Sequence, residues 1–367
     1  MTLAFELDGL DGTARAGRAT TARGTFTTPC FMPVGTRGAV RTVSAVDLED
    51  LGAQVVLANT YHLMLRPGVD VVAAAGGLHD FTGWPGHILT DSGGYQVFSL
   101  SPAVDDDGVT FRSTYDGSAH RLTPESAVAA QEALGADIAM VLDVCPALPA
   151  PADVVRRAVD RTAAWAARSR RVHRREGQAL FGIVQGGTDE LLRADSARRT
   201  IEVGFDGYAV GGLSVGESRA AMLDALAAAV AELPTERPRY LMGVGDPAGL
   251  VEAVGLGVDL FDCVLPTRLA RHGTVLTAEG RLHLRNAAYL RDDRPLDPTC
   301  TCPVCARWSR SYLRHLHQVG EPGAGRLLTI HNLAWTFAFV ASLRGSVLDG
   351  TFGARRAAVL ATWAPAA

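Results

Sequence analysis

Three cysteines near residue 300 could bind a metal ion. Cys300, Cys302 and Cys305 form a C-x-C-x2-C motif, and His331 follows the last of them by 26 residues. Three thiolates and one imidazole complete the tetrahedral shell of zinc and leave no position open for a substrate. A disulfide framework would not explain why half of the six cysteines fall within six residues. We therefore predict a structural zinc site and treat the remaining cysteines as reduced thiols.

The motif leaves a choice of histidine, because His315 and His317 also follow the cysteines. His331 stands in T-I-H-N-L, an apolar segment in which its ring nitrogens need polar partners. These could be the partners of an ordinary core histidine, or one of them could be the metal. We predict His331 as the fourth zinc ligand.

Two acidic motifs form a second set of candidate residues. Asp91 begins D-S-G-G-Y-Q, in which two glycines let a flat ligand approach the backbone and the ring of Tyr95 can stack on it. Asp262 lies in F-D-C-V-L-P-T-R, a second carboxylate followed by an arginine, Arg268. The two motifs indicate a ligand site with carboxylates at its edge.

Eight short apolar runs, separated by helical stretches, must position these residues. The runs are continuous rather than alternating in polarity, as expected for parallel strands that are buried on both faces. They span residues 30–34, 54–59, 87–91, 137–143, 179–185, 206–211, 240–243 and 258–262. This pattern predicts an α/β fold, a (β/α)8 TIM barrel, in which the 367 residues form one large domain with a small insert.

Polar residues end several of these runs. They are Asp91, Asp143, Gln185, Gly211 with Gly212, and Asp262. In a barrel the carboxyl ends of the strands converge on one face, where binding and catalytic sites are built. Any one carboxylate could instead be a helix N-cap, but the whole set predicts a site at that face.

Two stretches do not fit the repeat of strands and helices. Residues 1–29 are predicted to form a hairpin leader, with strands near 3–7 and 20–25. Residues 101–122 are predicted to form an inserted hairpin, with strands at 109–112 and 120–122. The predicted domains are therefore a barrel over 1–267, a zinc-binding, basic subdomain over 268–345, and a C-terminal helix over 346–367 that completes the barrel.

Charge is divided unevenly along the chain. From Arg268 onward there are 13 arginines against 6 acidic residues, a net charge of +7, whereas residues 1–267 carry −11. This asymmetry points to a polyanionic partner for the C-terminal third, with a solvated arginine surface as the alternative.

Composition excludes other classes of protein. With 47% hydrophobic and 20% charged residues the chain is not intrinsically disordered, and no apolar run is long enough to span a membrane. The first residues, M-T-L-A-F-E-L-D, are acidic where a signal peptide would be basic. We expect a cytoplasmic protein that does not bind a membrane.

Five blocks occur in order along the chain, together with the cysteine motif and His331. They are D-S-G-G-Y-Q (91–96), F-G-I-V-Q-G-G (181–187), G-G-L-S-V-G-E (211–217), Y-L-M-G-V-G (240–245) and F-D-C-V-L-P-T-R (261–268). Over about residues 29–344 the chain closely resembles bacterial tRNA-guanine transglycosylase. The resemblance implies a barrel enzyme with a zinc-binding subdomain, normally a homodimer. An enzyme of this family exchanges guanine at the anticodon wobble position of tRNA for a 7-deazaguanine precursor of queuosine.

The resemblance also implies roles for the two acidic residues. Asp262 matches the nucleophile, which attacks the anomeric carbon of the ribose and forms a covalent ribosyl ester. The incoming base attacks the same carbon, so two inversions give net retention without ATP. Asp91 matches the general acid/base, and burial and a neighbouring carboxylate are expected to raise its pKa.

Further positions match those that recognise the base in the family. They are Asp143, Gln185, Gly212 and Leu213 at the edge of the base, and Tyr95 and Met242 on its two faces. A carboxylate can accept from N1–H and the exocyclic amine of a guanine-type base together, and Gln185 can serve the carbonyl oxygen. Ordinary core filling is the alternative for Tyr95 and Met242.

Cys145 and Val215 resemble positions of enzymes that accept the aminomethyl base preQ1, whereas eukaryotic relatives have glycine at the valine and admit queuine. The branched Val215 is expected to narrow the pocket and favour preQ1, with Glu217 helping to hold the ammonium-type tail.

Val144 replaces the acidic residue of the family's D-E-C, and L-A-R-H-G replaces its usual N-A-R-N-G at Leu269 and His272. Contacts with tRNA are therefore expected to differ there.

Arg268, Arg271 and Arg285 are predicted to bind RNA phosphates.

Three alternatives keep part of the resemblance: the same chemistry with queuine, base exchange in DNA or at another tRNA position as in archaeal relatives, and a non-catalytic RNA-binding partner subunit. The archaeal type carries extra C-terminal domains that we do not expect here, and a partner subunit need not retain Asp91 and Asp262. A metal-dependent barrel hydrolase fits poorly, because no histidine cluster is predicted at the rim.

Overall fold

The strands and helices alternate through most of the chain in the computed structural model, which describes residues 2–100 and 102–364. The strands are β1 (Ala4–Asp11), β2 (Ala14–Thr21), β3 (Gly24–Thr28), β4 (Cys30–Gly35), β5 (Val55–Ala58), β6 (His87–Thr90), β7 (Ala103–Val104), β8 (Val109–Arg112), β9 (Ala119–Leu122), β10 (Ile138–Met140), β11 (Ala179–Val184), β12 (Gly207–Val210), β13 (Arg239–Leu241), β14 (Leu260–Cys263), β15 (Thr274–Thr277) and β16 (Gly280–His283). The helices are α1 (Ala45–Asp50), α2 (Thr60–Leu65), α3 (Val69–Ala74), α4 (Leu78–Thr82), α5 (Gly94–Phe98), α6 (Pro124–Leu134), α7 (Ala152–Val172), α8 (Glu190–Val203), α9 (Arg219–Glu232), α10 (Pro247–Gly255), α11 (Leu265–Arg271), α12 (Arg310–Gln318), α13 (Pro322–Leu348) and α14 (Phe352–Trp363), with a 3-10 turn at Ala287–Tyr289.

Eight parallel strands close into a barrel, in the order β4-β5-β6-β10-β11-β12-β13-β14, and β14 pairs with β4. Seven of them are buried along their whole length in the way the continuous apolar runs predict: β4, β5, β6, β10, β11, β12 and β13. The predicted (β/α)8 barrel is therefore confirmed, and the end of each predicted run lies within three residues of the end of a strand.

Local sequence signals set the limits of several surrounding helices. Thr123 caps α6 by accepting the amide of Ser126, Pro124 occupies the first turn, and Gly135 ends the helix in a left-handed conformation. Ser218 and Asp246 cap α9 and α10 in the same way. These caps fix where each helix leaves the barrel mouth and so fix the loops that carry the site.

The N-terminal leader and the insert are three-stranded sheets rather than the expected hairpins. In the leader, β2 pairs with both β1 and β3. Its sequence, A-R-A-G-R-A-T-T, has small residues and arginines instead of an apolar run, which is why the apolar pattern did not reveal it. In the insert the added strand is β7, of two residues only, and Ser101 at the start of the predicted insert lies outside the described residues.

The C-terminal segment is tied to the barrel by α13, a helix of 27 residues that crosses the predicted boundary at residue 345. It packs against α11 and β15 and also against β1, β2 and β4, while α14 packs against α10. Residues 365–367 of the predicted final segment lie outside the described residues. In the described part of the chain no helix combines the length and apolar character that crossing a membrane requires.

Candidate active site and metal centre

The polar residues that were predicted at strand ends lie at one face of the barrel. Asp91 directly follows β6, Gln185 directly follows β11, and Gly211 directly follows β12. Asp262 is the last residue but one of β14, and Asp143 follows β10 by three residues. The carboxyl ends of the strands thus gather these groups around one mouth, as the barrel geometry requires.

Asp262 is held through one of its two oxygens. The hydroxyl of Tyr240 donates to its Oδ1 at 2.6 Å, and the amide of Gly243 donates to the same oxygen at 2.8 Å. Burial raises the pKa of Asp262, and these two hydrogen bonds oppose that rise. Burial and the neighbouring Asp262 charge raise the pKa of Tyr240, so the phenol remains a donor at neutral pH.

Asp91 is held through both of its oxygens. Its Oδ1 accepts the amides of Thr60 at 2.8 Å and Gly93 at 3.2 Å, and its Oδ2 accepts the side-chain amides of Gln96 at 3.0 Å and Asn59. Burial raises the pKa of Asp91 despite these four donors. A buried carboxyl group with a raised pKa can exchange a proton with a ligand under mild conditions.

Electrostatic coupling links the acidic residues to one another. The charge of Asp91 raises the pKa of Asp143, and it also raises the pKa of Tyr240, whose hydroxyl binds Asp262. The carboxylates of Asp91 and Asp262 therefore act on the same phenol.

A hydrogen-bonded pair forms the deeper edge of the mouth. Gln185 Nε2 donates to Asp143 Oδ2 at 2.6 Å, and burial, the main cause, raises the pKa of Asp143 to about 6. Gln185 Oε1 is buried without a hydrogen-bond partner in the described part of the chain. Unsatisfied buried polar atoms are costly, so this amide is poised to bind a polar ligand.

The backbone conformation of Gly212 favours glycine at this edge. Its φ of +65° lies in the left-handed region, and a Cβ there would lie 2.2 Å from Gln185 Oε1. The adjoining Gly211 is also crowded, since its Cβ would lie 2.9 Å from Gln185 Nε2. The backbone of this loop therefore lies close against the end of the Gln185 side chain.

Glu217 shapes the loop that continues from Leu213. Its carboxylate accepts the amide of Val215 at 3.0 Å and the amide of Ser214, which has a φ of +60°. Cys145 lies near this loop, and burial raises the pKa of its thiol to about 12. The thiol is therefore protonated at neutral pH and offers a small, weakly polar surface.

The two residues expected on the faces of a base differ in exposure. Tyr95, in α5, is 62% exposed, so its ring does not fill the core. Met242 is half-buried, packs against the barrel core and lies with its sulfur close to Gly211. Cys263, next to Asp262, has its pKa raised to about 12 by burial, so the neighbouring thiol does not compete as a nucleophile at neutral pH.

The four predicted metal ligands form one cluster. One ligand atom from each of Cys300, Cys302, Cys305 and His331 lies within 4.8 Å of the others, and these residues are buried or half-buried. The amide of Cys305 donates to Cys302 Sγ at 3.4 Å, as in a turn that presents sulfur to a metal. Three sulfurs and one imidazole nitrogen in this arrangement could hold a metal ion.

The orientation of His331 fits metal binding. Its Nε2 donates to the carbonyl of Leu276 at 2.8 Å, which leaves Nδ1 facing Cys305 Sγ at 3.3 Å. A hydrogen bond of this kind fixes the ring and the tautomer of a metal-binding histidine. The alternative His317 bonds to Arg285 instead, through a contact of 3.0 Å between Arg285 Nε and His317 Nε2.

The three predicted RNA-binding arginines lie on the C-terminal segment, where Arg268 and Arg285 are exposed. Arg271 is half-buried, and burial and the charges of Arg41 and Arg268 lower its pKa. Mutual repulsion among guanidinium groups is relieved by an anion. Arg41, from the loop before α1, was not predicted from the sequence and joins this positive region.

Of the two sequence departures, Val144 now has a clear environment. Its side chain is buried in an apolar cluster with Leu142 and Trp165, and its amide donates to Thr162 Oγ1 at 3.0 Å. The side chain therefore makes no polar contact. At the other departure, His272 is exposed and Leu269 is half-buried.

Sequence reasoning missed the residues that hold the two carboxylates. Asn59 and Thr60 support Asp91, and Tyr240 supports Asp262. Asn59 is a polar residue at the end of a predicted strand, 54–59, just as Asp91 is at the end of 87–91, so the same pattern could have identified it. Tyr240 lies inside a strand, where a tyrosine is indistinguishable from core.

Comparison with known proteins gives a consistent result. A family model described as queuine tRNA-ribosyltransferase matches residues 11–365. The chain is 52% identical over 357 residues to a queuine tRNA-ribosyltransferase of Solidesulfovibrio magneticus, covering 96% of both chains. It is 53% identical over 339 residues to that of Moorella thermoacetica, covering 92% of this chain and 91% of the relative. It is 50% identical over 351 residues to that of Thermus thermophilus, covering 95% and 91%.

Proposed function

Because the chain belongs to the queuine tRNA-ribosyltransferase family, we propose that its barrel mouth exchanges the wobble guanine of a tRNA anticodon for a 7-deazaguanine base. The chain is a pentosyltransferase that acts on tRNA. One observation carries the assignment of Asp262 as nucleophile: Tyr240 and Gly243 both bond its Oδ1. Within residues 2–100 and 102–364, Oδ2 has no hydrogen-bond partner and is free to attack.

The reaction then proceeds by two displacements. Asp262 Oδ2 forms a bond to the ribose anomeric carbon as the bond from that carbon to guanine N9 breaks, and the electron pair leaves with guanine. The ring nitrogen of the incoming base next attacks the same carbon and releases the carboxylate. Each step inverts the carbon, so the product keeps the starting configuration.

Asp91 serves as the general acid and base. It gives a proton to the departing guanine and takes one from the incoming base, so no net proton is consumed. Its burial and raised pKa support this role, because a group that gains and loses a proton during turnover works best with a pKa near the working pH.

The base is recognised by its polar edge and its faces. Asp143 accepts N1–H and the exocyclic amine, Gln185 and the backbone at Gly212 and Leu213 serve the carbonyl oxygen, and Tyr95 and Met242 cover the faces. The 2.6 Å bond from Gln185 Nε2 to Asp143 supports this reading, because the second N–H of the same nitrogen can donate to the carbonyl oxygen, whereas the unpartnered Oε1 can only accept from an N–H group.

The incoming base is proposed to be preQ1 rather than queuine. Val215 is half-buried and branched, so we expect it to narrow the pocket beyond the base, and Cys145 is a neutral thiol there. The Glu217 carboxylate accepts the amides of Ser214 and Val215 and so fixes the loop that the ammonium-type tail of preQ1 would contact. Exchange of both bases by purified protein decides the point, since faster use of queuine would contradict it.

The metal is proposed to be zinc with a structural role. Three cysteines and a histidine match its ligand preference, and the cluster leaves no ligand position for substrate. When bound, zinc supplies no chemistry to the reaction and holds the predicted 268–345 subdomain together. Elemental analysis of purified protein should give one zinc per chain, and a Cys302→Ser variant should lose it.

The RNA partner is proposed to be an anticodon stem-loop that lies across Arg268, Arg271 and Arg285. The barrel of residues 1–267 then supplies the chemistry, the basic 268–345 segment binds phosphates, and α14 packs against α10 on the outside of the barrel. Because tRNA is processed in the cytoplasm, we place the enzyme there.

We propose that the protein is a homodimer, as the family implies. Analytical ultracentrifugation at working concentrations tests this proposal.

The proposed function is tested by exchange and by covalent trapping. Purified protein should incorporate radiolabelled guanine into tRNA with a wobble guanine, and anticodon stem-loop RNA should form a complex that survives denaturation. Asp262→Ala should abolish the complex, whereas Asp262→Asn should keep the melting behaviour and zinc content but lose exchange. A complex that persists in Asp262→Ala would refute the nucleophile.

A further inference from the structure

A fully buried arginine lies behind the loops that follow β11 and β12. Arg193, in the first turn of α8, is 0% exposed. In the described part of the chain its guanidinium bonds to backbone carbonyls and forms no ion pair. Burying a charge without a counter-ion is unfavourable, so this arrangement requires a compensating set of contacts.

Four carbonyls provide that compensation. Arg193 Nε donates to Gly187 at 2.8 Å, Nη1 donates to Val184 at 3.0 Å and to Gly211 at 2.7 Å, and Nη2 donates to Gly212 at 3.1 Å. Four of the five N–H groups of the guanidinium are therefore used. One side chain thus joins the carboxyl ends of two neighbouring barrel strands.

Two of these carbonyls fix the direction of two amides. The Gly211 carbonyl shares a peptide group with the Gly212 N–H, and the Gly212 carbonyl shares one with the Leu213 N–H. In a trans peptide the carbonyl and the N–H point in opposite directions, so both N–H groups point away from Arg193. They belong to the two backbone positions that are proposed to recognise the base.

The cation also strengthens these amides as donors. A positive charge at the carbonyl end polarises the peptide group and makes its N–H a better donor. Burial lowers the pKa of Arg193 to about 10, so the guanidinium remains charged at neutral pH. Ser196, one turn further along α8, accepts the amide of Gln185 at 3.1 Å, so the same face of the helix supports both loops.

We propose that Arg193 is a positioning residue for base recognition, which aims the Gly212 and Leu213 amides at an acceptor oxygen of the base. The proposal rests on the proposed function. A guanine-type base offers its C6 carbonyl oxygen beside the N1–H that Asp143 accepts. Lysine cannot replace Arg193, because its three donors radiate from one atom and do not span four carbonyls on two strands.

The test compares Arg193→Lys with Arg15→Lys. Arg15 is 2% exposed and bonds to Asp259 and to the carbonyls of Thr235 and Arg237, all before strands β13 and β14, at the other end of the barrel. It is a matched control for the loss of a buried guanidinium. The assay measures kcat and KM for guanine in exchange into tRNA, and the inhibition constant of 2-aminopurine, which lacks the C6 oxygen.

In Arg193→Lys we expect the KM for guanine to rise about tenfold or more while kcat changes less than about threefold, since the loss of aimed hydrogen bonds weakens binding. Inhibition by 2-aminopurine should change less than about threefold. Arg15→Lys should lower the melting temperature without changing the KM for guanine, and Arg193→Gln should behave as Arg193→Lys does.

Three results would overturn the proposal. They are an unchanged KM for guanine in Arg193→Lys, an equal loss of affinity for 2-aminopurine, or an equal rise in KM in Arg15→Lys. Failure of both Arg193 variants to fold would also count against it, since a structural role would then suffice. If the wild-type protein exchanges no guanine, the proposed function fails and this role fails with it.

Discussion

The two carboxyl groups at the barrel mouth are held in different ways, and the difference fits two different duties. Asp262 receives two donors on one oxygen, which orients the group and leaves the other oxygen for bond formation. Asp91 receives donors on both oxygens, including two flexible side-chain amides that can move when a proton is transferred. A nucleophile needs a fixed direction, whereas an acid/base needs a tunable proton affinity.

Removing the Tyr240 hydroxyl should impair catalysis more than folding. Tyr240→Phe loses a 2.6 Å hydrogen bond to the Asp262 carboxylate. Hydrogen bonds to charged groups contribute about 1.5–3 kcal/mol, so kcat should fall by roughly ten- to a hundredfold. Tyr208→Phe is the control, since Tyr208 is also buried in the barrel but its hydroxyl bonds to the Phe205 amide. Equal losses of kcat in both variants would contradict the role of Tyr240.

Base affinity should depend on pH through Asp143. Burial raises the pKa of this carboxyl group to about 6, so it is protonated below that pH and cannot accept N1–H and the amine of the base. The affinity for guanine, measured as 1/KM, should be constant above about pH 7 and fall about tenfold for each unit below about pH 6. Asp143→Asn should bind weakly at every pH. A pH-independent KM in the wild-type protein would argue against this role.

At this scale the sequence predicted which polar residues end strands, because a charged residue after an apolar run is conspicuous. It did not predict Tyr240 or Arg193. Tyr240 lies within a strand and Arg193 within a helix turn, and both act across a gap of many residues in the chain. No local pattern distinguishes such a contact from core packing or from an ordinary surface arginine.

Among the elements, α13 connects the metal cluster to the segment that carries the nucleophile. His331 bonds to the carbonyl of Leu276, and the next residue, Asn332, accepts the Leu276 amide at 3.0 Å. Asn332 also donates to the carbonyls of Pro266, in α11, and Thr274. The cluster therefore braces the chain directly after Asp262.

Removing the metal should destabilise this brace. A strong chelator applied to the folded protein should lower the melting temperature and the exchange activity together, and added Zn²⁺ should restore both. Chelation is followed by circular dichroism and by exchange on the same samples. A chelated protein that loses all of its zinc yet keeps its melting temperature would contradict a structural metal.

The N-terminal leader and the insert show the limit of prediction for elements. Each was expected as a hairpin, and each has a third strand. The strand β2 lacks an apolar run, and β7 has only two residues, so both depend on pairing with neighbours rather than on their own sequence. The barrel strands were predictable because burial on both faces imposes a continuous apolar run.

For the whole molecule, the separation of charge is the property that bears on tRNA. Residues from Arg268 onward carry +7 and the preceding residues carry −11, so we propose that RNA binds to the C-terminal segment and is repelled by the remainder. The predicted boundary at residue 345 falls within α13. Charge and composition could not reveal that this one helix runs from the metal cluster to the leader sheet.

Binding of anticodon stem-loop RNA should weaken with salt. Each phosphate contact by an arginine adds about 0.7–0.9 to the slope of log affinity against log salt concentration. Arg268→Ala should therefore reduce that slope by about one contact, whereas Arg156→Ala, on the outer helix α7, should leave it unchanged. The slopes are measured by fluorescence anisotropy across a salt series. Equal slopes for Arg268→Ala and the wild-type protein would remove Arg268 from the RNA surface.

The most direct test of the covalent mechanism is to identify the residue to which the ribose becomes attached. The protein is mixed with anticodon stem-loop RNA, denatured, treated with nuclease and trypsin, and analysed by mass spectrometry. We expect a ribose-phosphate adduct without guanine on the peptide of residues 240–268, with fragment ions that place it on Asp262 rather than on Asp246 or Asp259. An adduct on the peptide that carries Asp91 would contradict the assignment of the two carboxylates.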